Sequence, residues 1–250
     1  MDETTLAGGL RLSSHRAWPS GSSPVPAVVL CHGFPSGVGG ASTSARTYPE
    51  LAERISQEMG WLAVTFNFRG CGPSEGNFSL GGWLDDLLAM GDHVGGESRV
   101  RGVWFAGFGT GGALAVCAAA RRPEIQGVAA LGAPADFDDW ASHPKRLLQH
   151  AREIRAVKDP SFPSAADGWS RELRSIRAVG AAPAVAPRPL LVIHGSEDET
   201  VPPFDARVIG DAHGSAELCI IVGAGHRLRH DPRAIAVLLG WLDRQKHRRP

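Results

Sequence analysis

The chain has 250 residues, the size of one ordinary domain, because single hydrophobic cores stop growing at roughly 250 to 300 residues. Hydrophobic residues make up 43% and charged residues 21%, which excludes disordered, collagen-like and small disulfide-stapled proteins. Lys plus Arg and Asp plus Glu both number 26, so the net charge is zero. Such a balance provides no overall electrostatic field that would attract nucleic acid or an anionic membrane, and we expect neither partner.

The cysteines and the N-terminus indicate the compartment. No CxxC pair or zinc ribbon can be drawn from the four cysteines, and we predict buried free thiols at Cys31, Cys71, Cys117 and Cys219. The N-terminal MDETTLAGGL is acidic where a signal peptide is basic, and no apolar run reaches the roughly 18 residues of a membrane span. These features predict a cytoplasmic protein.

Short apolar runs alternate along the chain with helix-length amphipathic runs. The apolar runs predict six buried strands, at residues 27–30, 61–66, 103–106, 128–131, 190–193 and 218–222. This alternation is typical of a mostly parallel sheet with helices on both faces. The fold class is therefore predicted to be α/β.

Four helices are predicted between and after these strands. The first keeps one apolar face from Tyr48 to Met59, and Thr47 with Glu50 matches a capping box ahead of it. The others lie around residues 83–88, at 113–120, and from the Asp231-Pro232 start signal onward.

Residues 135–187 interrupt the alternation of strands and helices. They contain two helix-like stretches with no strand between them, one with an apolar stripe through Leu147, Ala151 and Ile154. The second stripe runs through Trp169, Leu173, Ile176 and Val179. We predict one domain over residues 1–250, with 135–187 inserted as a small helical cap over the edge of the sheet.

Short motifs follow five of the predicted strands. They are HGFPSG from His32, NFRGCGPS from Asn67, GFGTGG from Gly107, HGSEDETVP from His194 and GAGH from Gly223. In this order they resemble the α/β-hydrolase superfamily, in its serine esterase and peptidase-like branch. The resemblance extends from about residue 27 to the last helix and implies the α/β-hydrolase fold.

The resemblance also implies roles for particular residues. GFGTGG resembles the nucleophile elbow G-x-S-x-G, with Gly109 at the position of the serine. Asp198 and His226 match the acid and the base of that family. The backbone N–H groups of Phe34 and Thr110 match the donors of the oxyanion hole.

Gly109 is a departure from the family pattern, because acyl transfer needs a hydroxyl or thiol that the base can deprotonate. The elbow strains any central residue that has a Cβ, and glycine relieves much of that strain. We therefore predict a vacant nucleophile position. Five neighbours carry a hydroxyl or thiol and are more simply explained as helix, turn or core residues: Ser36, Ser74, Ser196, Thr110 and Cys31.

Other interpretations of the same residues stay open. Asp198 could close a turn or cap the helix near Pro203. His226 and His230 have the i, i+4 spacing of metal ligands, but no H-E-x-x-H motif or third ligand accompanies them, and we predict no metal. GFGTGG contains a bare G-x-G-x-x-G pattern, but the strand ahead of it follows two earlier strand–helix units, so we predict no dinucleotide and no other cofactor.

Three functions fit these residues. The first is a noncatalytic or weakly active α/β-hydrolase-family protein that binds a small acyl or carbonyl ligand or serves as a scaffold. The second is a serine-independent enzyme in which His226, Asp198 and the oxyanion hole support proton abstraction or water activation. The third is a conventional ester or amide hydrolase with a displaced nucleophile. A hydrogen-bonded His226–Asp198 pair facing an open pocket would be compatible with the two enzymes, and a pocket filled by cap side chains would favour the first function.

Overall fold

A computed structural model describes residues 1–36 and 39–246. Its sheet contains β1 (Asp2–Ala7), β2 (Leu10–Ala17), β3 (Val25–Cys31), β4 (Leu62–Phe66), β5 (Val100–Phe108), β6 (Ile125–Leu131), β7 (Leu190–Gly195) and β8 (Glu217–Ile221). The spatial order is β1-β2-β4-β3-β5-β6-β7-β8. The strands from β3 to β8 are parallel, and all six of them were predicted, so the predicted α/β fold is confirmed.

The first two strands form an antiparallel hairpin that pairs with β4. Gly8 and Gly9 make its two-residue turn with φ values of 55° and 83°. This hairpin is absent from the sequence-based prediction, although Gly-Gly between two alternating segments is a recognised hairpin signal. The polar composition of DETTLA concealed the strand, because only one face of it is buried.

The helices of the described residues are α1 (Tyr48–Met59), α2 (Leu80–Gly95), α3 (Thr110–Arg121), α4 (Asp138–Ser142), α5 (Pro144–Glu153), α6 (Ala166–Ser175), α7 (Ala178–Val185), α8 (Pro203–His213) and α9 (Pro232–Lys246). The four predicted helices are α1, α2, α3 and α9. The capping box predicted for α1 is wrong, because Thr47 has a helical backbone and its side chain makes no capping hydrogen bond. Pro49 lies in the first turn, where its missing N–H leaves one donor fewer to cap.

Alternating strand residues separate the core into two halves, one on each face of the sheet. Val28 and Leu30 of β3 face α1 and α9, whereas Val29 and Cys31 face the side covered by α2, α3 and α8. All four cysteines are free, and Cys31, Cys71 and Cys117 are buried, as predicted. The predicted burial of Cys219 is wrong, because this residue lies in the outermost strand β8 and is only partly buried. None of the helices in residues 1–36 and 39–246 is long and apolar enough to cross a membrane.

The segment between β6 and β7 holds four helices rather than the two predicted stretches. The second predicted stripe is divided, because the chain leaves the helical conformation at Ile176 and begins α7 at Ala178. Helix α7 packs on α3 and α8 in the layer that covers the sheet. Trp140 of α4 and Trp169 of α6 lie against Phe78, just before α2. That this segment acts as a cap stays a prediction.

Glycines bring the start of α3 directly against the ends of two strands. A Cβ on Gly111 would lie 2.4 Å from the carbonyl oxygen of His32, and a Cβ on Gly107 would lie 2.2 Å from the carbonyl oxygen of Gly111. Real Cβ atoms do not approach backbone oxygens so closely. The first turn of α3 can therefore lie against the end of β3 only because these positions lack side chains.

Gly111→Ala should lower the free energy of unfolding by about 3 kcal/mol, because backbone rather than a flexible side chain must move. Gly240→Ala is the matched control: Gly240 is an exposed helical position in α9 whose added Cβ meets nothing closer than 3.9 Å. This control should gain about 0.5 to 1 kcal/mol from helix propensity. Urea denaturation of both variants measures the difference, and equal stability of the two would contradict the close-packing argument.

Candidate active site

The turn between β5 and α3 is built on Gly109, which has φ 54° and ψ −126°. Its N–H donates to the carbonyl oxygen of Leu131 at 2.8 Å, and its own carbonyl oxygen accepts from Gly112 N–H at 2.9 Å. Residues with a Cβ rarely adopt a positive φ. An added Cβ would nevertheless clash with nothing, because its nearest neighbour would be His226 Nε2 at 3.4 Å.

His226 and Asp198 form a hydrogen-bonded pair at the ends of β8 and β7. His226 Nδ1 lies 2.8 Å from Asp198 Oδ2, and the His226 side chain is 28% exposed while that of Asp198 is fully buried. The other carboxylate oxygen, Oδ1, accepts the N–H groups of Thr200 and Val201, both at 2.9 Å. One carboxylate therefore both closes a turn and orients the imidazole.

The hydrogen bonds around Asp198 keep it ionised. Burial by itself would raise its pKa, but hydrogen bonds from His194, His226 and the Val201 N–H outweigh burial and hold the pKa of Asp198 well below its usual range. The ionised Asp198 accepts a hydrogen bond from the N–H of His226 Nδ1, and this bond leaves Nε2 of the neutral imidazole without a proton and as the basic atom. Nε2 is the atom that faces Gly109.

His194 is a second histidine on the same carboxylate and was not predicted to belong to the site. Its Nε2 lies 3.0 Å from the Val201 carbonyl oxygen and 3.2 Å from Asp198 Oδ2, and because both are acceptors, Nε2 carries the proton. Its side chain is fully buried. The i, i+4 spacing in HGSED was the available signal, but only structure shows that both side chains turn to the same side.

The Gly33–Phe34 peptide lies beside Gly109, and His32 holds it in place. The buried His32 ring donates from Nδ1 to the Gly33 carbonyl oxygen at 2.8 Å and accepts the Phe68 N–H on Nε2 at 3.2 Å. In a trans peptide the N–H points opposite to the C=O, so fixing the Gly33 carbonyl also fixes the Phe34 N–H. Among the hydrogen bonds of the described residues, neither the Phe34 N–H nor the Thr110 N–H has a protein acceptor.

Of the five hydroxyl and thiol neighbours considered above, the structure places one at the cleft described below. Ser74 donates its hydroxyl to the Asn67 carbonyl oxygen, and Ser196 accepts the Gly223 N–H, so both serve turns. Cys31 and Thr110 are buried. Ser36 is exposed and lines the cleft.

An open cleft of about 340 Å³ lies in front of Gly109 and is called the Gly109 cleft below. Gly33, Phe34, Gly109, Arg229 and His226 are among the residues that line it. His226 also borders a second hollow, beside Glu197 and Glu199. The tryptophans of α4 and α6 do not line the Gly109 cleft; Trp140 packs on Phe34 instead, with ring centroids 5.1 Å apart.

Gly132 is a further site residue absent from the prediction. It follows β6 with φ 59°, and a Cβ there would lie 3.5 Å from His226 Nδ1 and 3.7 Å from Asp198 Oδ2. The end of β6 therefore passes directly against the pair. Within the described residues, no three His, Cys, Asp or Glu side chains form a cluster that could hold a metal ion.

Comparison with known proteins agrees with this architecture. The family described as having the alpha/beta hydrolase fold matches residues 26–178, and the chain belongs to this family. No curated protein sequence matches the chain.

Solved structures of similar fold align over nearly the whole chain. Est1E from Butyrivibrio proteoclasticus, solved with ferulic acid, has a TM-score of 0.74 at 19% identity and covers 97% of both chains. Mouse alpha/beta hydrolase domain-containing protein 10 has a TM-score of 0.71 at 19% identity and covers 98% of both. The Pyrococcus furiosus esterase Pf2001 has a TM-score of 0.72 at 17% identity and covers 98% of this chain and 91% of its own. At these identities the likeness extends to the fold alone.

The buried His32 should make the protein sensitive to acid. Burial lowers the pKa of His32 from 6.5 to about 4, so the unfolded chain binds this proton at a higher pH than the folded protein does. The stabilisation is complete above pH 6.5 and is lost as the pH falls toward 4. This group should contribute a loss of about 2 kcal/mol between roughly pH 7 and pH 4.5.

The measurement is urea denaturation of the wild type and of His32→Gln at both pH values. Glutamine can donate and accept a hydrogen bond without titrating, so the variant should lose about 2 kcal/mol less than the wild type on acidification. Equal losses of unfolding free energy in the wild type and the variant would mean that His32 is not held neutral. The carboxylates titrate in both proteins, so their contributions to the change in stability cancel in the comparison.

Proposed function

We propose that this α/β-hydrolase-family protein binds a small acyl or carbonyl compound in the Gly109 cleft and uses His226 there as a general base, without a covalent intermediate. The observation that carries the proposal is the Asp198–His226 hydrogen bond of 2.8 Å, with His226 Nε2 facing an open cleft. A pocket filled by side chains of the α4–α6 segment would have favoured a binding or scaffold role instead. No metal or cofactor is part of the proposal.

Gly109 takes the place of the family's serine nucleophile in this proposal. Support comes from its position at the strand-to-helix turn, its positive φ and the 3.4 Å that would separate an added Cβ from His226 Nε2. A serine hydroxyl on that Cβ would be within reach of the imidazole. Without it no acyl-enzyme can form at this position, and the space it would occupy is open to water or substrate.

The proposed chemistry needs only the residues that remain. His226 Nε2 accepts a proton from a carbon next to the substrate carbonyl and later returns it to the product. With an acyl substrate it accepts a proton from a water that adds to the carbonyl, and it delivers this proton to the alcohol or amine that leaves when the carbonyl re-forms. The electron pair moves onto the carbonyl oxygen, where the Phe34 and Thr110 N–H groups and the N-terminus of α3 stabilise the negative charge. Asp198 stabilises the imidazolium that exists between the two proton transfers.

The wild-type protein should exchange the hydrogens next to the carbonyl of small ketones with deuterium from solvent, a reaction that NMR follows directly. His226→Gln should lower this rate by about 100-fold, because a positioned general base contributes 10²-fold or more. His143→Gln is the matched control, since the His143 side chain is 59% exposed and lies outside the cleft. If a panel of ketones and esters shows neither exchange nor hydrolysis above the His226→Gln level, the noncatalytic binding role replaces the enzyme.

Gly109→Ser should create His226-dependent ester hydrolysis, about 100-fold above Gly109→Ala on p-nitrophenyl esters, because only the serine adds a hydroxyl beside His226. Both variants should lose about 1 to 3 kcal/mol of stability, since any Cβ strains the positive φ. Gly109→Ala therefore controls for the strain, and Gly109→Ser with His226→Ala controls for the base.

A fluorophosphonate probe extends this experiment. It should label Gly109→Ser at the new hydroxyl and leave the wild type unlabelled. Wild-type labelling at Ser36 would instead identify a displaced nucleophile and a conventional ester or amide hydrolase. A folded Gly109→Ser protein that neither turns over nor is labelled would show that the oxyanion donors do not face the hydroxyl, which contradicts the proposed mechanism.

A further inference from the structure

The Gly109 cleft has a strongly one-sided charge. Three arginines line it, Arg46, Arg227 and Arg229, together with His226 and His230. Among the described residues that line this cleft, none is Asp or Glu. A cleft of this kind concentrates anions in a protein whose overall net charge is zero.

Arg229 is the cation that the structure holds in place. It is half-buried, its guanidinium donates to the carbonyl oxygen of Thr47, and its Cζ lies 5.6 Å from the ring centroid of Tyr48. Tyr48 in turn packs on Phe108, the residue before Gly109, with ring centroids 5.5 Å apart. These contacts place the guanidinium on the wall of the cleft next to the strand-to-helix turn.

The guanidinium of Arg229 has no carboxylate within ion-pair distance among the described residues. Its Nε atom is buried and has no hydrogen-bond partner there. Glu50 on α1 is the acidic group that faces Arg229, but it is exposed and remains beyond ion-pair distance. A partly desolvated cation without a counter-ion is costly, and an anionic ligand in the cleft would neutralise its charge.

Arg46 and Arg227 differ from Arg229 because both are exposed at the rim of the cleft. Neither forms an ion pair in the described part of the chain, although Arg227 also borders the hollow that contains Glu197 and Glu199. Exposed arginines strengthen long-range attraction but confer little geometric selectivity. Selectivity would therefore depend on Arg229.

We propose that the Gly109 cleft selects carbonyl compounds that also carry a carboxylate, and that Arg229 is the residue that binds this carboxylate. The planar guanidinium matches a carboxylate through two parallel hydrogen bonds. The carbonyl end of the ligand would lie at His226 and the oxyanion donors, so the assignment of that end rests on the proposed function. The assignment of the carboxylate end rests on the charge of the cleft alone.

The test is equilibrium binding to the wild-type protein by calorimetry, which requires no turnover and so remains informative if the enzyme proposal fails. The probes are 4-oxopentanoate and 4-oxopentanamide, which share the ketone and differ in the charged group. We expect 4-oxopentanoate to bind at least about tenfold more tightly, the usual range for a charge-assisted hydrogen bond. Arg229→Gln should abolish this preference, and Arg229→Lys should restore part of it.

Arg54→Gln is the matched control, because Arg54 is an exposed arginine of α1 that pairs with Glu58 and lies outside the cleft. It should leave the preference unchanged. The proposal is overturned if the two probes bind with equal affinity, or if no binding of 4-oxopentanoate is detected at about 10 mM. It is also overturned if Arg54→Gln and Arg229→Gln have equal effects. Tighter binding of inorganic phosphate than of 4-oxopentanoate would overturn the assignment to a carboxylate.

Discussion

The direct contact between the first turn of α3 and the end of β3 is the constraint on which the rest of the site depends. Gly107 and Gly111 allow backbone to lie on backbone there, with no room for a side chain. As a result the N-terminus of α3 lies beside the Gly33–Phe34 peptide. Phe34 lines the cleft with Gly109 and His226, and Thr110 follows Gly109 directly in the chain. Any displacement of α3 would separate groups that the proposed chemistry needs together.

A second requirement is that a buried carboxylate stays charged. Asp198 loses its contact with water, which by itself disfavours the ionised form, but it gains hydrogen bonds from two histidines and two backbone N–H groups. Thr200 and Val201 belong to the loop after β7, whereas His194 lies in β7 itself and His226 follows β8. The loop after β7 therefore forms its own anion-binding turn, and the imidazole completes it. This explains how one residue can be both structural and part of the pair.

Gly109 stabilises the turn but supplies no reactive side chain. A positive φ costs little at glycine, whereas any residue with a Cβ would strain the turn by about 1 to 3 kcal/mol. In the proposed function, the same absence of a Cβ leaves the turn without a hydroxyl for acyl transfer. The pair, the donors and the cleft do not require that hydroxyl to form, because backbone contacts and the Asp198 loop hold them independently.

The amino-acid sequence by itself determined the six parallel strands, four of the helices and the order of the motifs, because hydrophobic periodicity and glycine-rich turns are local signals. The prediction from sequence missed the first hairpin, because its strand DETTLA is polar. It also missed the break between α6 and α7, because one apolar stripe continues across the two helices. It also singled out Asp198, His226 and Gly109, since each lies in a recognisable motif.

Only the tertiary structure showed that the site also includes His194, Gly132 and Arg229. His194 belongs to the site because its ring turns onto the same carboxylate, Gly132 because the end of β6 passes against the pair, and Arg229 because α1 offers it the Tyr48 ring and the Thr47 carbonyl oxygen. No spacing along the chain encodes these contacts. They exist because parallel strands bring their carboxyl ends to one edge of the sheet, where residues far apart in sequence become neighbours.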